Sequence, residues 1–201
     1  MRVVIDDLIV ELDPPPNRIG KCDGGRERHF TEAAVMLAYA FHLFETTIPD
    51  LCAVELHPDG EHGKRFEIAK WLAAHGFPLK ESRGVTNYCG KYVCGERQIL
   101  ISATPGLGDV VAVTPGGAII AECKGGIINT RHSGQLSRLR KGLCEAVGLL
   151  MSKARGGRQV AVVPYTETTL RIAKQMASRA DEAGIAIALV RESGEVLDVA
   201  P

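Results

Sequence analysis

The feature that most constrains this chain is a pair of apolar segments that are joined by a tight turn and carry charge at one end only. Residues 109–113 and 118–123 are apolar runs of strand length, and Pro115-Gly116-Gly117 between them is typical of a β-turn. The pattern therefore predicts a β-hairpin. Asp109 begins its first strand and Glu122-Cys123-Lys124 ends its second, so these charged residues meet at the same end. Charge on a buried strand needs a partner or a function.

The expected register brings the charged side chains onto one face of the hairpin. Whether the turn has two residues or four, Asp109 lies directly opposite Glu122. The alternation of side chains along a strand then places Lys124 on the same face. Cys123 points to the other face and offers only its backbone carbonyl to this site. Two carboxylates and an ammonium group are thus predicted to converge.

Two carboxylates roughly 5 Å apart repel each other, and a hard divalent cation between them would relieve the repulsion. Magnesium is the natural candidate because its preferred ligands are oxygens. Such a cation stabilises a phosphodiester under attack and lowers the pKa of a bound water, while Lys124 would orient or activate that nucleophile. The alternative is a charge-balanced hairpin end that merely faces solvent.

The segments around the hairpin predict an α/β fold. Helical periodicity predicts helices over 30–46, 63–75, 135–151 and 167–183. Strand patterns cover 2–12, 51–57, 99–101, 109–113, 118–123, 159–163, 185–190 and 195–199, with a polar loop expected over 17–29. Residues 159–190 form a strand-helix-strand unit, for which a right-handed parallel crossover is expected.

Composition narrows the class of protein. A chain of 201 residues with 45% hydrophobic content can bury a full core without a disulfide or a structural metal. Lys plus Arg and Asp plus Glu balance at 24 each, which argues against constitutive binding of polyanions or membranes. No apolar run approaches the roughly 18 residues of a membrane helix. We expect a soluble cytoplasmic protein with no membrane partner.

The six cysteines are expected to be reduced thiols. Their spacing is irregular, and the acidic pair Asp6-Asp7 comes too early for a secretory signal. Cys89 and Cys94 are the closest pair, but no second pair matches them, so buried or incidental thiols are favoured over half of a zinc site.

The residues and the order of elements together resemble the PD-(D/E)XK superfamily of nucleases, which includes restriction endonucleases, Holliday-junction resolvases and DNA repair nucleases. The resemblance covers about Gly63 to Val190: a helix, a three-strand meander with the charged hairpin, a helix, and a strand-helix-strand unit. It implies a restriction endonuclease-like core over residues 61–201, with a mixed central sheet flanked by helices in the order αβββαβαβ. Residues 1–60 lie outside the resemblance and are predicted to be a strand-helix-strand extension, with a dimer surface, a specificity element and extra sheet strands as the open alternatives for its role.

By this resemblance the motif residues acquire roles. Asp109 and Glu122 are metal ligands, Cys123 lends its carbonyl to the metal, and Lys124 serves catalysis. The sequence departs from the family in one respect, because the first aspartate often follows a proline whereas Leu107-Gly108 precede Asp109 here.

A fourth catalytic candidate comes from the helix before the meander. Many members carry a glutamate on the first core helix near the metal, and the segment Gly63-Lys64-Arg65-Phe66-Glu67 resembles that element. Glu67 is therefore the candidate. The alternative, an ordinary exposed helix carboxylate paired with Lys70, stays open.

These observations predict a Mg²⁺-dependent endonuclease of restriction or repair type that hydrolyses DNA, with Mn²⁺ able to substitute. The predicted DNA contacts are the basic residues Arg131, Arg138 and Lys141, with a solvated helix face as the alternative. Gln135 is added by resemblance, because many superfamily members carry a polar residue at the start of this helix. His132 is kept outside the catalytic set because a metal-bound water needs no histidine. A restriction-type enzyme would act as a homodimer on a palindromic site, whereas a repair-type enzyme would prefer junctions, flaps or lesions. The competing function is a non-catalytic nucleic-acid-binding or assembly module on the same fold.

Overall fold

The computed structural model describes residues 7–46, 53–58, 66–84, 86–154 and 156–201. Within these ranges the helices are α1 (Glu32–Thr46), α2 (Ile68–Ala74), α3 (Ser133–Met151) and α4 (Glu167–Glu182), with a short 3₁₀ turn at Pro16–Arg18. The strands are β1 (Ile9–Leu12), β2 (Glu27–Phe30), β3 (Ala53–Leu56), β4 (Leu79–Ser82), β5 (Gly90–Cys94), β6 (Arg97–Ile101), β7 (Val110–Thr114), β8 (Gly117–Cys123), β9 (Gly126–Ile127), β10 (Gly157–Pro164), β11 (Ile185–Val190) and β12 (Val196–Val199). Of the helices described, none is long and apolar enough to cross a membrane.

A nine-stranded mixed sheet forms the centre of the fold, in the order β12-β11-β10-β8-β7-β3-β6-β5-β4. Strands β8, β10 and β11 run parallel to one another, and β7 and β12 are antiparallel to their neighbours β8 and β11. The predicted unit of strand, helix and strand over 159–190 is confirmed as parallel β10 and β11 joined by α4. The chain is therefore a mixed α/β protein with a large sheet, as predicted.

Helices cover both faces of this sheet. Helix α1 is buried from Ala33 to Phe44 apart from His42, and it packs in one cluster with Ala121, Cys123 and residues of β10 and β11. Helices α3 and α4 bury their apolar stripes in a second cluster with Ile120 and other residues of β10 and β11. Successive residues of β8 therefore face opposite layers, because side chains alternate along a strand.

The predicted meander is wrong in its first strand. Strand β6 was expected beside β7, but β3 lies between them, parallel to β6 and antiparallel to β7. The loop over 102–109 is long enough to cross the end of β3, and the pairing buries Val54 and Leu56 in the core. The segment from α2 to β6 is thus an insertion that extends the sheet beyond β3.

The predicted helix over 63–75 is also shorter than expected. Residues 63–65 lie outside the described part of the chain, and α2 begins at Ile68. Glu67 precedes the helix and occupies its N-cap position, without a side-chain capping bond. The prediction that Glu67 lies within the early turns of this helix is therefore wrong.

The N-terminal region contributes a second, three-stranded sheet in the order β1-β2-β9. Strand β2 falls partly in the expected polar loop, which is a further correction. The start of the first predicted strand, residues 2–6, and residues 51–52 of the second lie outside the described ranges. A domain division near residue 60 remains a prediction, but β3 from the N-terminal side belongs to the large sheet.

Candidate active site

The hairpin of β7 and β8 has the register expected from the sequence. Val110 pairs with Ala121 and Thr114 pairs with Gly117. Asp109 lies one residue before β7, and its Oδ2 accepts a hydrogen bond of 2.7 Å from the backbone N–H of Cys123. The carboxylate of Asp109 is thus held at the end of β8 by Cys123, which lies between Glu122 and Lys124 in the sequence.

Burial and neighbouring charge both act on Asp109. Burial, the largest effect, raises its pKa to about 7. The hydrogen bond from Cys123 opposes this increase, whereas the negative charges of Glu122 and Glu32 add to it and Lys124 lowers it. Three carboxylates therefore lie close enough to interact, and this concentration of negative charge is what a cation would relieve.

Glu122 is buried on β8, with only 5% of the residue exposed. Its carboxylate accepts a hydrogen bond from Nζ of Lys153, which also donates to the carbonyl oxygen of Leu107 at 2.7 Å. Glu122, Lys153 and Asp109 line a cavity of about 280 Å³ together with His57. Sequence reasoning missed Lys153, because nothing in the spacing relates the end of α3 to the hairpin.

Lys124 continues from β8 toward α3 and the start of α1. Its Nζ lies 3.4 Å from Oε1 of Glu32 and 3.6 Å from Oε1 of Glu145. Burial is the largest single effect and lowers the pKa of Lys124, but the charges of Glu32, Asp109 and Glu145 together outweigh it. The net pKa is raised, so Lys124 carries a positive charge at neutral pH.

Glu32 is the acidic residue that the sequence reasoning failed to place at the site. The hydroxyl of Thr31 accepts a 3.2 Å hydrogen bond from the N–H of Ala34, which caps α1 and fixes its start beside Lys124. Glu67, the predicted candidate, instead has a side chain that is 76% exposed and pairs with Lys70 at 3.1 Å. The alternative interpretation of Glu67, an exposed carboxylate paired with Lys70, therefore agrees with the structure. No local signal distinguished Glu32 from Glu67, because the choice depends on the pairing of β3 with β7.

Close packing connects Glu32 to the motif through Gly125. A Cβ atom on Gly125 would lie 2.5 Å from the carbonyl oxygen of Phe30 and 2.6 Å from the backbone nitrogen of Glu32. Only a glycine permits the chain after Lys124 to pass so close to the start of α1. This approach brings the two ionised side chains together.

The donor set at this site suits a hard divalent cation. Carboxylate oxygens of Asp109 and Glu122 are ligands that Mg²⁺ and Mn²⁺ prefer. The thiol of Cys123 is fully buried on the α1 side of the sheet, and burial raises its pKa further above the usual range, so it does not offer a thiolate. Across the described residues, no three His, Cys, Asp or Glu side chains are already gathered as a metal site. The ammonium group of Lys153 instead contacts Glu122, and that of Lys124 pairs with Glu32.

The predicted DNA-contacting residues are divided by the structure. Gln135 is buried, and it lines a cleft of about 520 Å³ together with Arg138 and Glu32. Arg131 pairs with Asp23 at 3.3 Å, and neither Arg131 nor Lys141 belongs to the lining of the cleft. Only two of the four predicted residues therefore meet beside the candidate site.

Three further residues of the cleft lining, Arg18, Glu27 and His29, were not predicted from the sequence. Buried Glu27 accepts a 3.0 Å hydrogen bond from Nη2 of Arg18, and its Oε2 lies 3.0 Å from Nε2 of His29. The hydrogen bond from Arg18 is the main reason why the pKa of Glu27 is lowered. The charged run over residues 26–29 was the available signal.

Comparisons with protein-family models, with curated proteins and with solved structures found no match for this chain. Membership of a nuclease family therefore remains a prediction.

Proposed function

We propose that this protein is a Mg²⁺-dependent endonuclease that hydrolyses phosphodiester bonds in DNA. The observation that carries the proposal is the concentration of charge at one end of the hairpin, where Asp109 and Glu122 meet beside Lys124 and Glu32. The pKa of Asp109 is raised to about 7, mainly by burial and further by the negative charges of Glu122 and Glu32. Perturbed carboxylates in a cavity are typical of functional sites.

The order of the elements supports the same proposal. When the insertion from α2 to β6 and the two-residue strand β9 are set aside, the elements α1, β3, β7, β8, α3, β10, α4 and β11 follow one another in the order αβββαβαβ. Strands β3, β7 and β8 then form an antiparallel meander, and β10 lies parallel to β8. This is the arrangement expected of a restriction endonuclease-like core, with α1 and β3 in the places first given to residues 63–75 and 99–101.

The residues of the site divide the chemistry among them. Asp109 and Glu122 would hold Mg²⁺, with the carbonyl of Cys123 as a further oxygen donor. When bound, the cation supplies a Lewis acid for the phosphate and an activated water. Lys124 remains protonated, so its role is to orient the nucleophile or to stabilise negative charge rather than to accept a proton. Glu32 holds the ammonium group of Lys124 in place.

The cleft beside Glu32 is the proposed path for the DNA strand. Arg138 is exposed at its rim and can neutralise a phosphate, and Gln135 offers an amide for a neutral hydrogen bond. A protein without net charge can still bind DNA through such a local surface, since affinity depends on the phosphates actually contacted.

The test is cleavage of supercoiled plasmid by the wild type, Asp109→Ala, Lys124→Ala and the control Glu67→Gln, each in Mg²⁺, Mn²⁺ and EDTA. We expect nicked or fragmented DNA from the wild type and Glu67→Gln only, and no products in EDTA. If the wild type leaves the plasmid uncleaved, the same variants are tested on branched DNA and on DNA with flaps. DNA retained in a gel shift but never cleaved on any substrate would support the non-catalytic module instead.

A further inference from the structure

Lys153 is a second lysine of the candidate site, and it comes from the segment after α3 rather than from the hairpin. It follows the last turn of α3, and its Nζ contacts the carboxylate of Glu122. The same Nζ donates a 2.7 Å hydrogen bond to the carbonyl of Leu107, two residues before Asp109. The ammonium group therefore bridges the ends of both hairpin strands.

The burial of the two partners explains why this contact forms. The Glu122 side chain is 6% exposed, whereas that of Lys153 is 26% exposed. A buried carboxylate without a partner is strongly destabilising, so Glu122 needs a cation nearby. Lys153 meets that need at the end of a flexible side chain that enters from solvent.

The contact also competes with the metal that the proposed function requires. The oxygen of Glu122 that an ammonium group contacts cannot bind a divalent cation without rearrangement. The cavity of about 280 Å³ that Lys153 lines with Asp109 and Glu122 gives the ammonium group room to move aside. Lys124 does not compete with the metal in this way, because its partners Glu32 and Glu145 are not the proposed metal ligands.

We propose that Lys153 is an exchangeable counterion of the metal site. In the metal-free protein its ammonium group neutralises Glu122, and a divalent cation that binds Asp109 and Glu122 displaces it. The inference rests on the proposed function, because it requires a divalent cation at this site. The displaced group remains in the cavity, where it is available to a phosphate oxygen of the substrate.

The test is calorimetric titration of Mn²⁺ into the wild type, Lys153→Met, Lys153→Arg and the exposed control Lys174→Met, in slightly alkaline buffer and without DNA. Removing the competing charge is expected to tighten Mn²⁺ binding by about tenfold or more in Lys153→Met alone, because hydrogen bonds to charged groups are strong. Thermal unfolding in EDTA is expected at a lower temperature for Lys153→Met than for Lys174→Met, since Glu122 loses its partner.

The outcomes separate the two proposals. Equal affinity for Mn²⁺ in the wild type and Lys153→Met, both folded by circular dichroism, would overturn the exchange and leave the metal site standing. If neither the wild type nor any variant binds Mn²⁺, both the exchange of Lys153 and the proposed metal-dependent function would be overturned. If Lys153→Met does not fold, Lys153→Gln, which keeps a neutral donor for Glu122, takes its place and is expected to bind Mn²⁺ more tightly than the wild type.

Discussion

The Nζ atom of Lys124 lies 3.4 Å from Oε1 of Glu32, so the last residue of the motif and the first residue of α1 form an ion pair. Both side chains are largely shielded, with 18% and 17% exposed, and solvent screens the pair only weakly. The pair joins residues that lie far apart in the sequence. It also fixes the direction from which Lys124 approaches the carboxylates.

Glu32→Gln is expected to reduce the rate of DNA cleavage by about 10- to 100-fold, as the loss of a residue that orients a catalytic group usually does. Glu67→Gln is the matched control, because Glu67 also lies at the start of a helix but is largely exposed and pairs with exposed Lys70. Initial rates in Mg²⁺ decide between them. Equal rates for the two variants would remove Glu32 from the proposed site.

Gly125→Ala is expected to lower both stability and activity. Its Cβ would overlap the backbone at Phe30 and Glu32, and overpacking of this kind costs about 1–3 kcal/mol. The shift would also separate Lys124 from Glu32. Thermal unfolding and initial cleavage rates measure the two effects.

The matched control for that substitution is Gly116→Ala in the hairpin turn. A Cβ there would meet nothing closer than Oγ1 of Thr114 at 3.7 Å, an ordinary contact. We expect wild-type activity from Gly116→Ala. Wild-type stability in Gly125→Ala would show that α1 tolerates displacement and that the close approach is not required.

Local signals predicted the hairpin and its register. A tight turn between two apolar strands determines which residues face each other, so Asp109 and Glu122 could be placed opposite one another from the sequence alone. The helices α1, α3 and α4 were also predictable, because each carries apolar residues at helical spacing. These features depend on interactions between residues that are near in sequence.

Non-local pairing could not be predicted in the same way. Strand β3 joins β7 across an insertion of one helix and three strands, and no local pattern specifies that choice. Glu32 and Glu67 illustrate the consequence, since each lies at the start of a helix near a strand. Only the pairing of β3 with β7 brings Glu32 rather than Glu67 to the hairpin.

Arg138→Gln is expected to weaken DNA binding and to reduce the salt dependence of the affinity by about one phosphate contact. Arg138 is exposed at the rim of the cleft beside Glu32, where a phosphate would be neutralised. The control is Arg179→Gln, at an exposed position of α4 outside the lining of the cleft. Fluorescence anisotropy of labelled DNA in EDTA, at several salt concentrations, measures the affinity and its salt dependence. If the affinity of Arg138→Gln depends on salt as steeply as that of the wild type, Arg138 does not contact a phosphate.

Asp109→Asn is expected to stabilise the metal-free protein while abolishing cleavage. The native pKa of Asp109 is raised to about 7, whereas an unfolded aspartate has a pKa of about 3.9. Between these values the native state holds a proton that the unfolded state has lost, so this residue's contribution to stability falls as pH rises from about 4 to about 7. Asparagine keeps an oxygen that can accept the hydrogen bond from Cys123 but cannot ionise.

The wild type and Asp109→Asn should therefore differ most at and above neutral pH. We expect the variant to be more stable there by about 1–2 kcal/mol, which raises Tm by about 4 °C for a chain of this size. The gain is smaller than the pKa difference alone implies, because Cys123 loses a charged acceptor. Unfolding in EDTA across this pH range measures the difference, which should shrink toward acid pH. A variant less stable than the wild type at alkaline pH would mean that ionised Asp109 costs the native state no free energy, and the raised pKa of Asp109 would no longer support the proposed site.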